Sequence, residues 1–211
     1  TAGLDVLLLE KEQLPRYKAC GGGVTGRALA VLGKALPEAL VADQTHTVTL
    51  TLRGKWPVTV SSQSPVVYMT MRADLDYWLT QEAVRAGAEL RERTRVLRII
   101  EQPDHVALET TAGLFRARTV IGADGVNSLI ARQLGLAQRH ARALALEVEL
   151  EVPAAVLAKF RGRALLDYGY TPNGYTWIFP KRHHLSVGTG SSVTDARLLA
   201  RRLAEFCARH G

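Results

Sequence analysis

The sequence predicts a mixed α/β and α+β fold, in which a doubly wound α/β domain is interleaved with an antiparallel β-sheet domain. Residues 6–10 form a short apolar run that ends in an acid, as a buried parallel strand does. Residues 46–70 alternate apolar and polar side chains, whereas residues 72–86 repeat apolar side chains at intervals of three and four. Because such strand-like and α/β patterns recur in turn, each predicted domain is made of discontinuous segments.

The first elements are predicted to be a strand, a loop and a helix. Val6–Glu10 is the strand. Residues 11–24 contain Pro15 and three consecutive glycines, which favour a loop. Residues 25–36 place leucines on one side of a helix.

The rest of the chain alternates between strands and helices. In chain order, the sequence predicts antiparallel strands over residues 46–70, a helix over residues 72–86 that stops at Gly87, a hairpin turn near Pro103 and Asp104, a strand over residues 119–121, a helix over residues 128–134, further strands within residues 143–192, and a helix over residues 194–210. These elements predict two domains. The doubly wound domain comprises residues 1–45 and 72–138, and the antiparallel domain comprises residues 46–71 and 139–211.

Composition narrows the class of protein. The chain has 211 residues, of which 47% are apolar, and a formal net charge of +7. Its basic residues are spread along the sequence, which favours a solvated basic surface over nucleic-acid binding. No apolar run reaches the roughly 20 residues of a membrane span. Cys20 and Cys207 form neither a metal-ligand pattern nor a disulfide framework, so a cytoplasmic setting is expected.

Two turns contain residues that bind nucleotides in many proteins. Glu10 ends the first predicted strand, where an acid accepts hydrogen bonds from a ribose hydroxyl, although an ordinary exposed acid fits the same pattern. Residues 122–125, GADG, join a strand to a helix, and their glycines let the backbone approach a ligand. An ordinary strand-to-helix turn is the alternative for this segment.

A third segment, PRYKACGGGV over residues 15–24, combines three glycines with positive charge from Arg16 and Lys18. Consecutive backbone amides without side chains suit flat or phosphate-bearing ligands. Cys20 has no His or acid beside it in the sequence, so a thiol that lines a pocket is favoured over a nucleophile.

A fourth segment carries aromatic side chains at alternate positions of a strand. Tyr175, Trp177 and Phe179 therefore form one wall, either of the sheet core or of an apolar substrate pocket. The adjacent His183 and His184 point to opposite faces of a strand, so no shared metal is expected.

Together, VLLLEK, PRYKACGGGV, RADLDYWL, VIGADGVNSLIAR and GYTWIFPKRHHLSVGTG resemble the geranylgeranyl reductase family, a branch of the FAD-dependent oxidoreductases with the p-hydroxybenzoate hydroxylase fold. The resemblance covers essentially the whole chain. It implies an incomplete Rossmann-like FAD-binding domain interleaved with an antiparallel substrate domain. The family's GxGxxG segment and its later Gly-Asp segment are not present, so we expect a chain truncated at both ends that by itself binds FAD weakly or not at all.

The resemblance also implies roles for individual residues. It places Glu10 on the adenosine ribose, the Val96 backbone near adenine, and Asp124 near the ribityl and pyrophosphate groups. The full set expected to bind FAD is Glu10, Lys11, Arg16, Cys20, Gly21, Gly22, Gly23, Arg72, Val96, Asp124 and Gly125. The set expected to line a lipid pocket is Tyr175, Trp177, Phe179 and Pro180. The proton donor is not assigned.

The implied reaction is reduction of isolated C=C bonds in a prenyl lipid by hydride from reduced flavin and a proton, with NAD(P)H or ferredoxin as electron donor. An aromatic hydroxylase or halogenase-like monooxygenase of the same fold is one alternative, and a binding module without catalysis is another. A prenyl lipid substrate also allows peripheral contact of a cytoplasmic protein with a membrane. The sequence assigns no oligomeric state.

Overall fold

A computed structural model describes residues 3–136, 143–192 and 195–210. Its strands and helices, in chain order, are β1 (Leu7–Leu9), β2 (Gly23–Thr25), α1 (Gly26–Leu32), β3 (Asp43–Thr45), β4 (Thr47–Leu52), β5 (Lys55–Ser61), β6 (Val67–Met69), α2 (Arg72–Arg85), β7 (Glu89–Arg91), β8 (Val96–Glu101), β9 (Val106–Thr110), β10 (Gly113–Ala117), α3 (Leu129–Gln133), β11 (Leu144–Leu150), α4 (Ala154–Phe160), β12 (Arg163–Tyr168), β13 (Gly174–Pro180), β14 (Leu185–Ser191) and α5 (Ala196–His210). A short 3-10 helix, Glu38–Leu40, precedes β3. The predicted mixture of helices with parallel and antiparallel strands is confirmed.

The chain divides into two compact units, each made of two segments. Unit 1 comprises Thr1–Arg16 and Asp76–His140, and unit 2 comprises Tyr17–Leu75 and Ala141–Gly211. Residues 17–45, which the sequence assigns to the doubly wound domain, group with unit 2 because β2 and β3 pair with β6. The predicted boundary at residue 138 lies outside the described residues. Which unit binds cofactor and which binds substrate stays a prediction.

Unit 1 contains the parallel pair β1–β7 and an antiparallel sheet in the order β10-β9-β8. The predicted hairpin near residues 103–104 joins β8 to β9, and the Gln102 amide donates to the His105 carbonyl at 2.9 Å. Helix α3 contacts β8 through the Ile99 amide, which donates to the Gln133 side chain at 2.8 Å.

The prediction of a strand over residues 119–121 is wrong. These residues form no strand, and Ile121 is 87% exposed. A parallel strand is stabilised by the ladder that it shares with a neighbour. Within the described part of the chain, no strand pairs with this segment, so its apolar side chains do not define a strand.

Unit 2 is built on a six-stranded sheet in the order β11-β14-β13-β12-β4-β5. The β12–β4 pair is parallel, and the other pairs are antiparallel. One face packs against α4 and α5, and the buried side chains of this core are Leu157, Tyr170, Ile178, Leu185, Val187, Leu203 and Phe206. Thr194, where the last helix is predicted to start, lies outside the described residues. Helix α4, of seven residues, is not among the elements that the sequence predicts.

A second sheet of unit 2 has the order β2-β6-β3, with the fully buried Met69 at the end of its central strand. The Thr25 hydroxyl caps α1 by accepting from the Ala28 amide at 3.3 Å. Helix α1 ends at Leu32, earlier than predicted, whereas α2 begins at Arg72 as expected. No helix among the described residues is both long and apolar enough to cross a membrane.

Candidate functional site

Glu10 follows β1 directly and is fixed by backbone hydrogen bonds. Its amide donates to the Arg91 carbonyl at 3.0 Å, and its carbonyl accepts from the Thr94 amide at 2.9 Å. Its carboxylate accepts from the Glu12 amide at 3.0 Å and from Arg16 Nη2 at 3.2 Å. The Glu10 side chain is 20% exposed, so its carboxylate can accept a further hydrogen bond from a ligand hydroxyl.

Arg16 joins two carboxylates within unit 1. Its Nη1 lies 3.1 Å from Asp76 Oδ2, and its Nη2 lies 3.2 Å from Glu10 Oε2. These two partners hold the guanidinium in one orientation. The structure therefore brings the predicted Glu10 and Arg16 together, whereas Lys11 lies 3.9 Å from Glu12 and is largely exposed.

The GADG turn holds Asp124 against the start of α3. Asp124 Oδ1 accepts from the Ser128 hydroxyl at 2.5 Å. Its Oδ2 accepts from the Leu129 and Ile130 amides at 2.6 and 3.3 Å. Gly125 has φ +82°, a left-handed conformation that a side chain would strain. The structure thus gives Asp124 a capping role, and its contact with a cofactor stays a prediction.

The environment of Asp124 favours its charged form. Burial opposes the charge, but hydrogen bonds from Ser128 and from the two helix amides outweigh burial and lower the pKa of Asp124. The ionised carboxylate is a stronger acceptor than a neutral acid for the amides that begin α3.

Two other predicted cofactor contacts lie where elements begin. Val96 is the first residue of β8 and pairs with Thr110 of β9. Arg72 is the first residue of α2 and belongs to unit 2, whereas Glu10 and Asp124 belong to unit 1. Their contacts with a cofactor stay predictions.

The loop Cys20–Gly23, called the glycine loop below, is tied to the end of β6. The amide and the hydroxyl of Thr70 both donate to the Gly22 carbonyl, at 2.8 and 2.9 Å. A Cβ at Gly22 would lie 2.1 Å from the Thr70 carbonyl oxygen, and its φ is +64°, so only glycine fits there. A Cβ at Gly21 would lie 2.8 Å from the Phe179 ring. The loop therefore packs directly on an aromatic side chain.

Four aromatic rings form a row on one face of the six-stranded sheet, called the aromatic row below. Ring centroids are 5.8 Å apart for Tyr168 and Tyr175, 5.9 Å for Tyr175 and Trp177, and 6.0 Å for Trp177 and Phe179. Gly188 pairs with Trp177, and a Cβ there would lie 2.1 Å from the indole. The three predicted wall residues thus share one face, to which the structure adds Tyr168.

The same face continues beyond the row with apolar side chains. Leu166 pairs with Trp177 on one side and with Leu50 on the other, and Leu50 pairs with Val58 of the edge strand β5. Val58 is 59% exposed. Pro180, predicted to line the same pocket, is fully buried and alternates with Phe179, so its side chain points to the opposite face.

Acidic groups lie on β11 beside the aromatic row. Glu147 pairs with Gly188 in the ladder and accepts from the Ser186 hydroxyl at 2.5 Å. Glu149 Oε2 lies 2.8 Å from His184 Nε2. Burial, together with the Glu147 charge, raises the pKa of Glu149, and His184 opposes this shift. Glu149 therefore keeps a proton to higher pH than an ordinary glutamate.

Sequence reasoning missed several of these residues. Glu147 and Glu149 alternate along a strand, which indicates a shared face, but only the register of β11, β14 and β13 shows that this face carries Trp177. Asp76 gives no signal, because its partner Arg16 lies 60 positions away. Lys181 follows the aromatic strand, and nothing in the sequence indicates that it is buried.

Comparison with known proteins places this geometry among flavoproteins. The model of a family described as FAD binding domain matches residues 1–172. Digeranylgeranylglycerophospholipid reductase 1 of Methanopyrus kandleri is 32% identical and covers 97% of this chain and 56% of its own length. Geranylgeranyl diphosphate reductase of Rhodobacter capsulatus is 30% identical, with 93% and 51% covered. The chain thus spans about half the length of the curated relatives it matches.

Solved structures agree on the fold. A geranylgeranyl bacteriochlorophyll reductase-like protein from Thermoplasma acidophilum has a TM-score of 0.86 at 24% identity, covering 99% of this chain and 56% of that one. The halogenase PltM in complex with phloroglucinol and FAD has a TM-score of 0.70 at 17% identity, covering 96% and 51%. At these identities the likeness shows a shared fold.

Proposed function

Because this chain belongs to the FAD binding domain family, we propose that it forms part of an FAD-dependent reductase that saturates C=C bonds in a prenyl lipid. The observation that carries the proposal is the aromatic row, which lies on a sheet face that continues with apolar side chains. An isoprene chain offers no hydrogen-bonding groups, so its affinity comes from such an apolar surface. The names of the relatives from Methanopyrus kandleri and Rhodobacter capsulatus support the same substrate class.

The residues of the chain fit FAD. Glu10 retains exposed acceptor capacity at the end of β1, and Arg16 orients its carboxylate, as binding of a ribose hydroxyl requires. The glycine loop presents backbone without side chains beside Phe179, which suits a flat ring. Lys11, which is largely exposed, adds positive charge next to Glu10 in the sequence. When bound, FAD supplies the hydride chemistry.

The other steps of the reaction need groups that hold the chain and donate a proton. The aromatic row holds the prenyl chain and excludes water from it. Reduction of a C=C bond adds a proton as well as a hydride. We propose Glu149 as the proton donor, because it lies in register with Ser186 and Phe179 on the face of the aromatic row, and because burial raises its pKa.

The test uses the protein expressed from its complete gene, with its flavin reduced under anaerobic conditions and mixed with a geranylgeranyl lipid. We expect the lipid to reoxidise the flavin and to gain two hydrogens for each bond reduced, as measured by absorbance and mass spectrometry. Tyr175→Ala should raise KM for the lipid roughly tenfold, the equivalent of about 1.4 kcal/mol of lost contact. Tyr77→Ala removes an equally exposed aromatic side chain outside the row and should leave KM unchanged.

Other outcomes would reject the proposal. Flavin that is reoxidised only by oxygen, with hydroxylation or halogenation of an aromatic compound, would indicate a monooxygenase of the same fold. Protein without bound flavin would indicate a binding module.

Parallel assays with NAD(P)H and reduced ferredoxin identify the electron donor. Flotation with liposomes tests whether the protein contacts a membrane peripherally.

A further inference from the structure

Lys181 is a buried cation directly after β13, and only 1% of it is exposed. Its Nζ donates to the Thr70 carbonyl at 2.7 Å and to the Gly21 carbonyl at 2.8 Å. Its own amide donates to the His184 carbonyl at 2.8 Å, which fixes the backbone from which the side chain extends. One ammonium group thus joins the glycine loop, the end of β6 and the end of the strand that carries the aromatic row.

Burial of this charge is costly, so its retention calls for a physical reason. Burial lowers the pKa of Lys181, whereas the Glu149 and Glu147 carboxylates oppose this shift. Burying an ammonium group without acceptors would destabilise the protein far more than burying one with two carbonyl partners. A methionine of similar length would fill the same space without the cost of burying a charge, but it would make neither of the two hydrogen bonds.

We propose that Lys181 is a positioning residue, which clamps the glycine loop against β6 and so holds it in the conformation that binds the cofactor. The loop packs closely against Lys181 and Trp177. A Cβ at Gly22 would lie 2.8 Å from Lys181 Nζ, and a Cβ at Gly21 would lie 3.2 Å from Trp177 Nε1. The clamp stands on these contacts alone, whereas its link to the cofactor rests on the proposed function.

The neighbouring Arg182 provides a matched control. It is also a cation that donates to two backbone carbonyls, those of Ala39 and Val41, both at 3.1 Å. These acceptors lie outside the glycine loop. Arg182→Met therefore removes one positive charge and the same kind of bond as Lys181→Met, without releasing the loop.

The first experiment measures amide hydrogen exchange in ligand-free protein expressed from the complete gene. In Lys181→Met, peptides covering the glycine loop and Thr70 should exchange roughly tenfold faster than in the wild type, while α5 peptides should be unchanged. Arg182→Met should leave the loop peptides as they are. Unchanged loop exchange in Lys181→Met would overturn the clamp, as would equal acceleration in α5. If Lys181→Met does not fold, the same exchange rates are measured in Lys181→Gln, which keeps an uncharged hydrogen-bond donor. Faster exchange in the loop than in α5 then supports the clamp, and equal rates overturn it.

The second experiment titrates FAD into the same proteins. Lys181→Met should raise the Kd roughly tenfold, Lys181→Gln should recover part of the loss, and Arg182→Met should bind as the wild type does. Faster loop exchange with an unchanged Kd would overturn the link to the cofactor. Wild-type protein that binds no FAD would instead overturn the proposed function, and the exchange data would then still decide on the clamp.

Discussion

Replacement of Asp124 by alanine removes three hydrogen bonds that begin α3, those from the Ser128 hydroxyl and from the Leu129 and Ile130 amides. Loss of a helix cap typically costs about 1 kcal/mol. For a chain of this size, such a loss lowers Tm by roughly 2–4 °C. We expect this decrease in the absence of FAD, as measured by thermal denaturation with circular dichroism. Ser128→Ala removes the partner hydroxyl, which also caps Ala131, and should cost a similar amount.

The same substitution predicts a pH dependence. Because its hydrogen bonds lower the pKa of Asp124 in the folded state, its carboxylate stabilises the fold above the unfolded pKa of about 3.9. This contribution disappears as pH falls through the lower, folded pKa. The Tm difference between wild type and Asp124→Ala should therefore be full near neutral pH and shrink in acid. A variant that melts at the wild-type temperature without FAD, and loses only FAD affinity, would refute the capping role.

Three further substitutions test buried contacts in unit 2. Gly22→Ala should destabilise the protein by at least about 2 kcal/mol in urea denaturation, because its φ is left-handed and its Cβ would overlap the Thr70 carbonyl; wild-type stability would contradict the packing. Asp167→Ala should cost about 3 kcal/mol, since the buried carboxylate accepts from the Thr51 hydroxyl at 2.6 Å and the Gly54 amide at 2.5 Å. Thr51→Val, which removes only the first bond, should cost about half as much.

Local periodicity predicted most elements of the fold, because each pattern reports which side chains one element buries. The helix over residues 72–86 and the hairpin near residues 103–104 needed no information from elsewhere in the chain. The differences depend on distant partners. Residues 17–45 group with unit 2 through pairing with β6, and residues 119–121 lack a ladder among the described residues.

The family could be predicted because its motifs are local, and the match of the FAD binding domain model confirms the flavoprotein class. The groups with which the motif residues pair could not be predicted from the sequence. Arg16 meets Asp76 across 60 positions, and Lys181 meets the Gly21 carbonyl across 160. Such contacts arise from the fold, and no spacing rule in the sequence anticipates them.

These contacts also change how the motif residues should be tested. Asp124, Arg16 and Gly22 resemble residues that contact a cofactor, yet in the structure each is engaged by groups of the chain itself. A substitution there removes an internal contact whether or not FAD is bound, so a lower FAD affinity alone cannot identify a ligand contact. Substitution of a residue that serves only the fold lowers stability equally with and without FAD. Substitution of a residue that also touches the cofactor lowers stability further when FAD is present, because the stabilisation that FAD itself provides is reduced as well.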